Sequence, residues 1–381
     1  MVTQRKAVRQ SSASRTRTSQ CPDLPGQVVL VMQGGGALGA FQAGVYEAMH
    51  DAGIEPDWVV GTSIGAINGA IIAGNAPQDR LPRLREFWTR AAAGAAPYSH
   101  LKAFAMGNLF ADLGTVSFGV PGFFAPNPGS WFGNHTPLGV TGASFYTTAP
   151  LRSTLLELVD TDRIGAGDVR LTVGAVSVRS GRIRYFDSRD ERVSVEHVMA
   201  SGALPPAFPA IVIDGEPYWD GGIHSNTPIE IVMDDSERRD SLVFAAQLWQ
   251  LHGDDPQTIE EVMSRRKDIQ FSSRADSQIA RQQQIHRLRH VVRELGRLLP
   301  DKLKADAAIR KLVAHGCGTV IHLLPLRAPP LDGEDHRKDI DFTPEGIHAR
   351  WEAGRAFARD RIEAAPWQKD CDPAMGVIVH Q

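Results

Sequence analysis

Val28–Met32 is a continuous apolar run. Such a run suits a strand buried on both faces, as in a parallel sheet. Gly34, Gly35, Gly36 and Gly39 follow at once, and Ala37–Ala52 then reads as a helix with Leu38, Phe41, Val45, Ala48 and Met49 apolar. A second short strand, Trp58–Val60, runs into Gly61-Thr62-Ser63-Ile64-Gly65. Ile64–Ala73 is small and apolar nearly all round, which predicts a buried helix. Strand, helix, strand, helix at this spacing argues for an α/β fold with a parallel sheet. The pattern resumes with strand-like Leu171–Val178 and Ile183–Phe186 around a turn at Gly181, then a short helix at Val195–Ser201. Ile211–Ile213 and Pro217–Trp219 flank Asp214-Gly215, a favoured hairpin turn. Leu242–Leu248 and Val320–Pro325 are late strands, and Pro344–Ala365 is a C-terminal helix. There is no internal repeat.

Two stretches break this alternation. Residues 100–146 hold Phe104, Phe110, Phe118, Phe123, Phe124, Phe132 and Phe145, with few charges and neither strand nor helix period. A segment this long and irregular reads as a lid or as a loop packed on a groove, the plainer alternative being an excursion over the core. Residues 265–311 carry thirteen Lys/Arg against five acids. Within them Ile285, Leu288, Val292, Leu295 and Leu299 recur at helical spacing, which predicts an amphipathic helix. Its apolar stripe is expected to pack on the body while the basic face is solvated. Peripheral contact of 265–311 with a membrane surface is the functional alternative, ahead of nucleic acid. The chain divides into a basic tail (1–26), a core (27–250) containing the 100–146 insertion, a basic helical insertion (251–316), and a strand and helix that complete the core (317–381).

Composition adds mainly exclusions. With 42 % apolar and 22 % charged residues, the 381-residue chain is ordinary globular material. A net charge of -3 gives no overall attraction to nucleic acid. Cys21, Cys317 and Cys371 are too few and too scattered for a disulfide framework or a thiolate metal site. No apolar run approaches the roughly 18 residues of a membrane span. The first twenty residues hold Arg5, Lys6, Arg9, Arg15 and Arg17 and no acid, but no apolar stretch follows them. That reads as a disordered, solvated tail rather than a secretory signal, with the reducing cytoplasm as the expected compartment. Oligomeric state is left open.

Three features carry candidate chemistry. In Gly61-x-Ser63-x-Gly65, a serine sits between a buried strand and a buried helix, flanked by the small residues that a tight nucleophile turn requires. In Gly34-Gly35-Gly36-Ala37-Leu38-Gly39, glycines after a strand free backbone N–H groups to point at an anion. They suit an oxyanion hole, and also fit G-x-G-x-x-G. A dinucleotide site expects an acid at the end of the next strand, where this chain has Val60-Gly61, so the oxyanion hole is favoured. The third feature, Asp220-Gly221-Gly222, is a turn or a candidate general base. His224 is the tempting partner for a Ser-His-Asp triad, and His315 and His322 read as structural.

In chain order these residues resemble the patatin-like phospholipase family. The resemblance rests on the glycine loop 34–39, the turn Gly61–Gly65, the stretch Ala200–Pro209 (ASGALPPAFP), and Asp220–Pro228 (DGGIHSNTP). It covers roughly 27–250, and the C-terminal third, including Lys338-Asp339-Ile340-Asp341-Phe342, is similar to a bacterial subgroup whose extension has no assigned role. It implies a three-layer α/β/α sandwich with a mostly parallel sheet and two large insertions. It implies a serine acyl hydrolase of phospholipase A, lysophospholipase or esterase type, a carboxylic ester hydrolase without metal or cofactor. The resemblance makes Ser63 the nucleophile and Asp220 its base, with no histidine. Gly34, Gly35, Gly36 and Ala37 hold the oxyanion, and Gly61, Gly65, Gly221 and Gly222 shape the turns. The implied partner is a lipid or acyl-ester substrate. Family members commonly carry Arg or Lys where this chain has Leu38, a departure that bears on phospholipid preference. The alternatives are a non-catalytic lipid-binding or scaffold protein on the same fold, a hydrolase of hydroxyacid-oligomer esters, and a nucleotide-binding protein.

Overall fold

The computed structural model describes residues 24–93, 119–331 and 334–380. The basic tail up to residue 23, together with Phe104, Phe110 and Phe118, lies outside the described residues. The first half runs β1 (Gln27–Met32), α1 (Ala40–Asp51), β2 (Trp58–Gly61), α2 (Ile64–Ala73), α3 (Pro77–Ala93), β3 (Ala125–Pro126), β4 (Tyr146–Thr147), α4 (Ala149–Leu158), α5 (Thr161–Ala166) and β5 (Arg170–Ser177). Then come β6 (Ile183–Asp187), α6 (Val195–Ser201), β7 (Ile211–Ile213), β8 (Glu216–Asp220), α7 (Ile229–Met233), β9 (Ser241–Gln247) and α8 (Ile259–Leu298). The chain ends with α9 (Asp301–Lys304), α10 (Ala307–Val313), β10 (Ile321–Arg327), α11 (Pro344–Ala364) and β11 (Val377–Val379).

The main sheet has the order β11-β10-β9-β1-β2-β5-β8-β7, with β6 also on β5. Strands β11 through β5 are parallel, and the β5–β6, β5–β8 and β8–β7 pairings are antiparallel. Alternation along β1 shows the layers: Val28, Leu30 and Met32 belong to one apolar core and Val29 and Val31 to another. The first core also takes residues of α1, α2, α4 and α11. The second takes Ile229 and Val232 of α7 and Ile279 of α8. Helices therefore cover both faces, giving the expected α/β/α sandwich. The Asp214-Gly215 turn has both residues at positive φ, as a type I′ hairpin needs.

The pairing of β5 places the site. Thr172 and Val173 pair with both β2 and β6, while Ala175 and Val176 pair with both β6 and β8. A residue has one partner per edge, so β2 and β8 share the edge opposite β6. They arrive from opposite directions, β2 ending with Gly61 beside Val173 and β8 ending with Asp220 beside Ala175. The two chain ends meet head to head.

Helix α8 corrects the expected orientation of the basic insertion. The stripe predicted to pack on the body is not the buried face: Leu288 and Leu295 are 65 % and 59 % exposed, and Ile285, Val292 and Leu299 are half-buried. The buried face carries Asp268, Ser272, Ile279, Gln282, His286 and His290. The reason is what the body presents there. His286 and His290 ring nitrogens lie 3.0 Å from the Met233 and Thr319 carbonyls, Gln282 donates to Asp234 at 2.9 Å, and Arg265 donates to the Gln250 and Leu251 carbonyls. Backbone carbonyls at the ends of α7 and the neighbouring strands, and the Asp234 carboxylate, need donors, and an apolar stripe would leave them unpaired. The helix runs antiparallel to the strands, from Gln250 after β9 to Thr319 before β10.

The helix expected over Ala37–Ala52 also differs at its start: Gly36–Gly39 is a 3-10 turn, and α1 begins at Ala40. Among the described residues, no helix is long and apolar enough to cross a membrane.

Candidate active site

Strand β2 delivers Ser63 into a strained turn. Its φ of 56° and ψ of -122° lie where non-glycine residues are uncommon. The next residue begins α2, so the side chain sits at a helix N-terminus. A Cβ added at Gly65 would collide with the Met32 carbonyl, so the turn closes only over glycine there. The Ser63 amide donates to the buried Ser201 hydroxyl of α6 at 3.1 Å.

Asp220 meets this turn from the end of β8. Its backbone amide donates to the Ala203 carbonyl at 3.0 Å, and its carboxylate accepts from the Gly222 amide at 2.7 Å. The Ser63 side chain shares the cavity with this carboxylate and acts on its titration. The residue is buried, and that burial pushes its pKa up to about 7 against the opposing pull of the Ser63 side chain and the Gly222 amide. Ser63 and Asp220 are thus brought to one cavity.

The glycine loop after β1 lies alongside, and its amides are unequally free. Gly34 donates to the Asn226 carbonyl at 3.3 Å, and Ala37 donates to the Asp339 carbonyl at 2.8 Å. Two of the four expected oxyanion donors are therefore committed to the protein's own carbonyls, which corrects that set. The amides of Gly35 and Gly36 have no acceptor among the described residues. The Gly34 carbonyl is held by the Asn226 amide at 3.1 Å and the Trp249 indole at 2.8 Å. Buried Gln33 ties the loop's base to three elements: it accepts from the Leu248 amide after β9 and donates to Thr227 and to the Phe271 carbonyl of α8. Leu38 is buried in the main core, facing no anion.

Ser63, Asp220 and Gly34–Gly36 line one cavity whose walls are apolar. Phe123, Phe124 and Tyr146 come from the 119–147 segment, Phe208 from the proline-rich stretch, Phe271 from α8, and Phe342 from the chain before α11. Phe124 packs on Tyr146 and Phe208 at ring distances of 4.9 and 5.3 Å. The described part of the 100–146 insertion therefore reaches the cavity. No histidine lines it among the described residues. Gln33, Ser201, Asn226 and Trp249 were not singled out from sequence. Ser201 and Asn226 stand inside the two stretches that carry the resemblance, and Gln33 and Trp249 carry no local signal.

A family model described as patatin-like phospholipase matches residues 30–233, more than half of the chain, spanning the elbow and Asp220. The chain belongs to the patatin-like phospholipase family. A second model, DUF3734, described as patatin phospholipase, matches this patatin-like chain over residues 269–374. Lysophospholipase nte1 of Aspergillus terreus is 55 % identical over 49 residues, 13 % of this chain and 3 % of that one. Patatin-like phospholipase domain-containing protein 6 of Mus musculus is 38 % identical over 63 residues, 16 % of this chain and 5 % of that one. The chain thus spans a small fraction of these relatives' length. Among solved structures, VipD from Legionella pneumophila aligns with a TM-score of 0.39 at 14 % identity, covering 94 % of this chain and 72 % of that one. ExoU in its complex with SpcU from Pseudomonas aeruginosa aligns with a TM-score of 0.28 at 14 % identity, covering 92 % and 74 %.

Proposed function

We propose that this protein hydrolyses fatty-acyl esters through an acyl-enzyme on Ser63. The observation that carries the reading is a strained serine sharing an apolar cavity with a buried aspartate whose titration it influences. Asp220 takes the hydroxyl proton as Ser63 Oγ attacks the ester carbonyl carbon. The amides of Gly35 and Gly36 stabilise the resulting oxyanion. Protonated Asp220 returns the proton to the leaving alkoxide, and the same carboxylate then activates water to release the acid. The aromatic walls suit an acyl chain, and the family supports a lipid as the source of it. The site needs no cofactor for these steps.

The same reading includes peripheral contact with an anionic membrane through 265–311. Exposed Leu288, Leu295 and Leu298 on α8, flanked by exposed Arg281 and Arg287, support it.

The test is labelling of the purified chain by a fluorophosphonate. The wild type is expected to label, and Ser63→Ala and Asp220→Asn to lose labelling and ester hydrolysis together. Full hydrolysis by Ser63→Ala would sink the reading. Lipid binding without labelling would favour a non-catalytic lipid-binding role.

A further inference from the structure

The motif Lys338-Asp339-Ile340-Asp341-Phe342, between β10 and α11, plays no part in the acyl-transfer steps above. The structure sets it against the catalytic loop. Its Asp339 carbonyl accepts the Ala37 amide at 2.8 Å, and a Cβ at Gly36, whose φ is +55°, would strike that same oxygen. The motif is clamped by two crossed ion pairs. Neighbouring Lys267 and Asp268 on α8 meet Asp339 and Lys338 of opposite sign, at 2.6 and 2.8 Å. Lys267 also donates to the His336 carbonyl. From the other side, buried Arg350 of α11 donates to the Asp341 carbonyl at 2.9 Å and to Glu334 at 3.2 Å. Phe342 is buried against Trp88, Phe123 and Phe124. Held on all these sides, the motif still brings Asp339, Ile340 and Phe342 to the cavity that contains Ser63.

We infer that residues 338–342 are a positioning and specificity element of the active site. The Asp339 carbonyl holds the glycine loop in the conformation that leaves the Gly35 and Gly36 amides to the substrate. Ile340 closes the cavity against the far end of the acyl chain. A loop of three consecutive glycines has wide backbone freedom, so a single bond from Ala37 removes conformers that would misdirect its amides. Buried Leu38 has no polar group with which to fix the loop. The inference rests on the acyl-hydrolase reading.

The experiment uses the full chain, a fluorophosphonate, and p-nitrophenyl esters from acetyl to dodecanoyl. Lys267→Met loosens the clamp at a pair that is only partly buried, with Lys267 25 % and Asp339 22 % exposed. It is expected to lower kcat and the labelling rate of Ser63 about tenfold with little change in KM, and Lys267→Arg to restore most of the loss. Ile340→Trp is expected to lower the dodecanoyl-to-acetyl ratio of kcat/KM about tenfold, and Ile340→Ala to raise it. Melting temperatures near the wild type exclude simple unfolding. Wild-type labelling rates in Lys267→Met, with an unchanged chain-length profile in Ile340→Trp, would overturn the inference alone. Failure of the wild type to label would remove the acyl-hydrolase reading and this inference with it.

Discussion

Asp220 has the properties a proton acceptor needs at neutral pH, and they come from placement alone. Burial raises its pKa to about 7 because the ionised form loses solvation, and the Ser63 side chain and the Gly222 amide offset only part of that cost. The base acts when ionised, so kcat/KM for a soluble ester is expected to rise through about pH 7 and level off above it. A flat profile from pH 5 to 9 would exclude this role. The same group sets a stability trend. Its folded pKa lies above its value of 3.8 in the free residue, so between about pH 4 and 7 the native state keeps a proton that the unfolded chain has lost. Stability from this group is complete below about pH 4 and declines as pH rises through 7. Asp220→Asn removes the penalty. The variant is expected to be inactive and, at pH 8, more stable than the wild type by a few kcal/mol (roughly 1.4 kcal/mol per pKa unit). Urea unfolding at pH 4 and pH 8 measures both ends of that trend.

At the scale of elements, α8 separates what periodicity reveals from what it cannot. Because its buried face serves backbone carbonyls, His286→Leu is expected to cost about 1–3 kcal/mol by stranding the Met233 carbonyl. Leu295→Gln on the outer face is expected to stay within about 0.5 kcal/mol of wild type. Urea denaturation of the two variants decides which face is inward. The reading from sequence placed a helix here but missed its fully buried face, because apolar spacing alone cannot show that the receiving surface is polar. The β-α-β-α start was legible for the opposite reason. Val28–Met32 is apolar throughout and Ile64–Ala73 nearly so, and burial in a layered sheet accommodates that. Ser63 and Asp220 were legible through local turn chemistry. The commitment of the Gly34 and Ala37 amides was not, since Asn226 and Asp339 lie far along the chain. The strand β11 was missed because three residues carry too little pattern.

Over the whole molecule, charge is divided unevenly. The 265–311 segment is strongly basic while the chain as a whole is slightly acidic, so the remainder carries a clear negative excess. The exposed leucines of α8 lie toward the amino ends of the strands, whereas Ser63 stands at the carboxyl end of β2. Contact along this helix lays the strands along a membrane rather than pointing the cavity into it. Leu295→Asp with Leu298→Asp is therefore expected to lower binding to phosphatidylglycerol vesicles several-fold while leaving turnover of a soluble acetyl ester at the wild-type rate. Equal vesicle sedimentation of variant and wild type would dispose of the contact.

On the proposed acyl-hydrolase reading, the head-to-head meeting of β2 and β8 on one edge of β5 also fixes when the chemistry can begin during synthesis. Ser63 emerges from the ribosome long before Asp220, and the β5 edge on which they meet is made between them. A nascent chain that has completed the elbow has a serine with no base beside it. Nucleophilicity is thereby withheld until β8 has closed against β5.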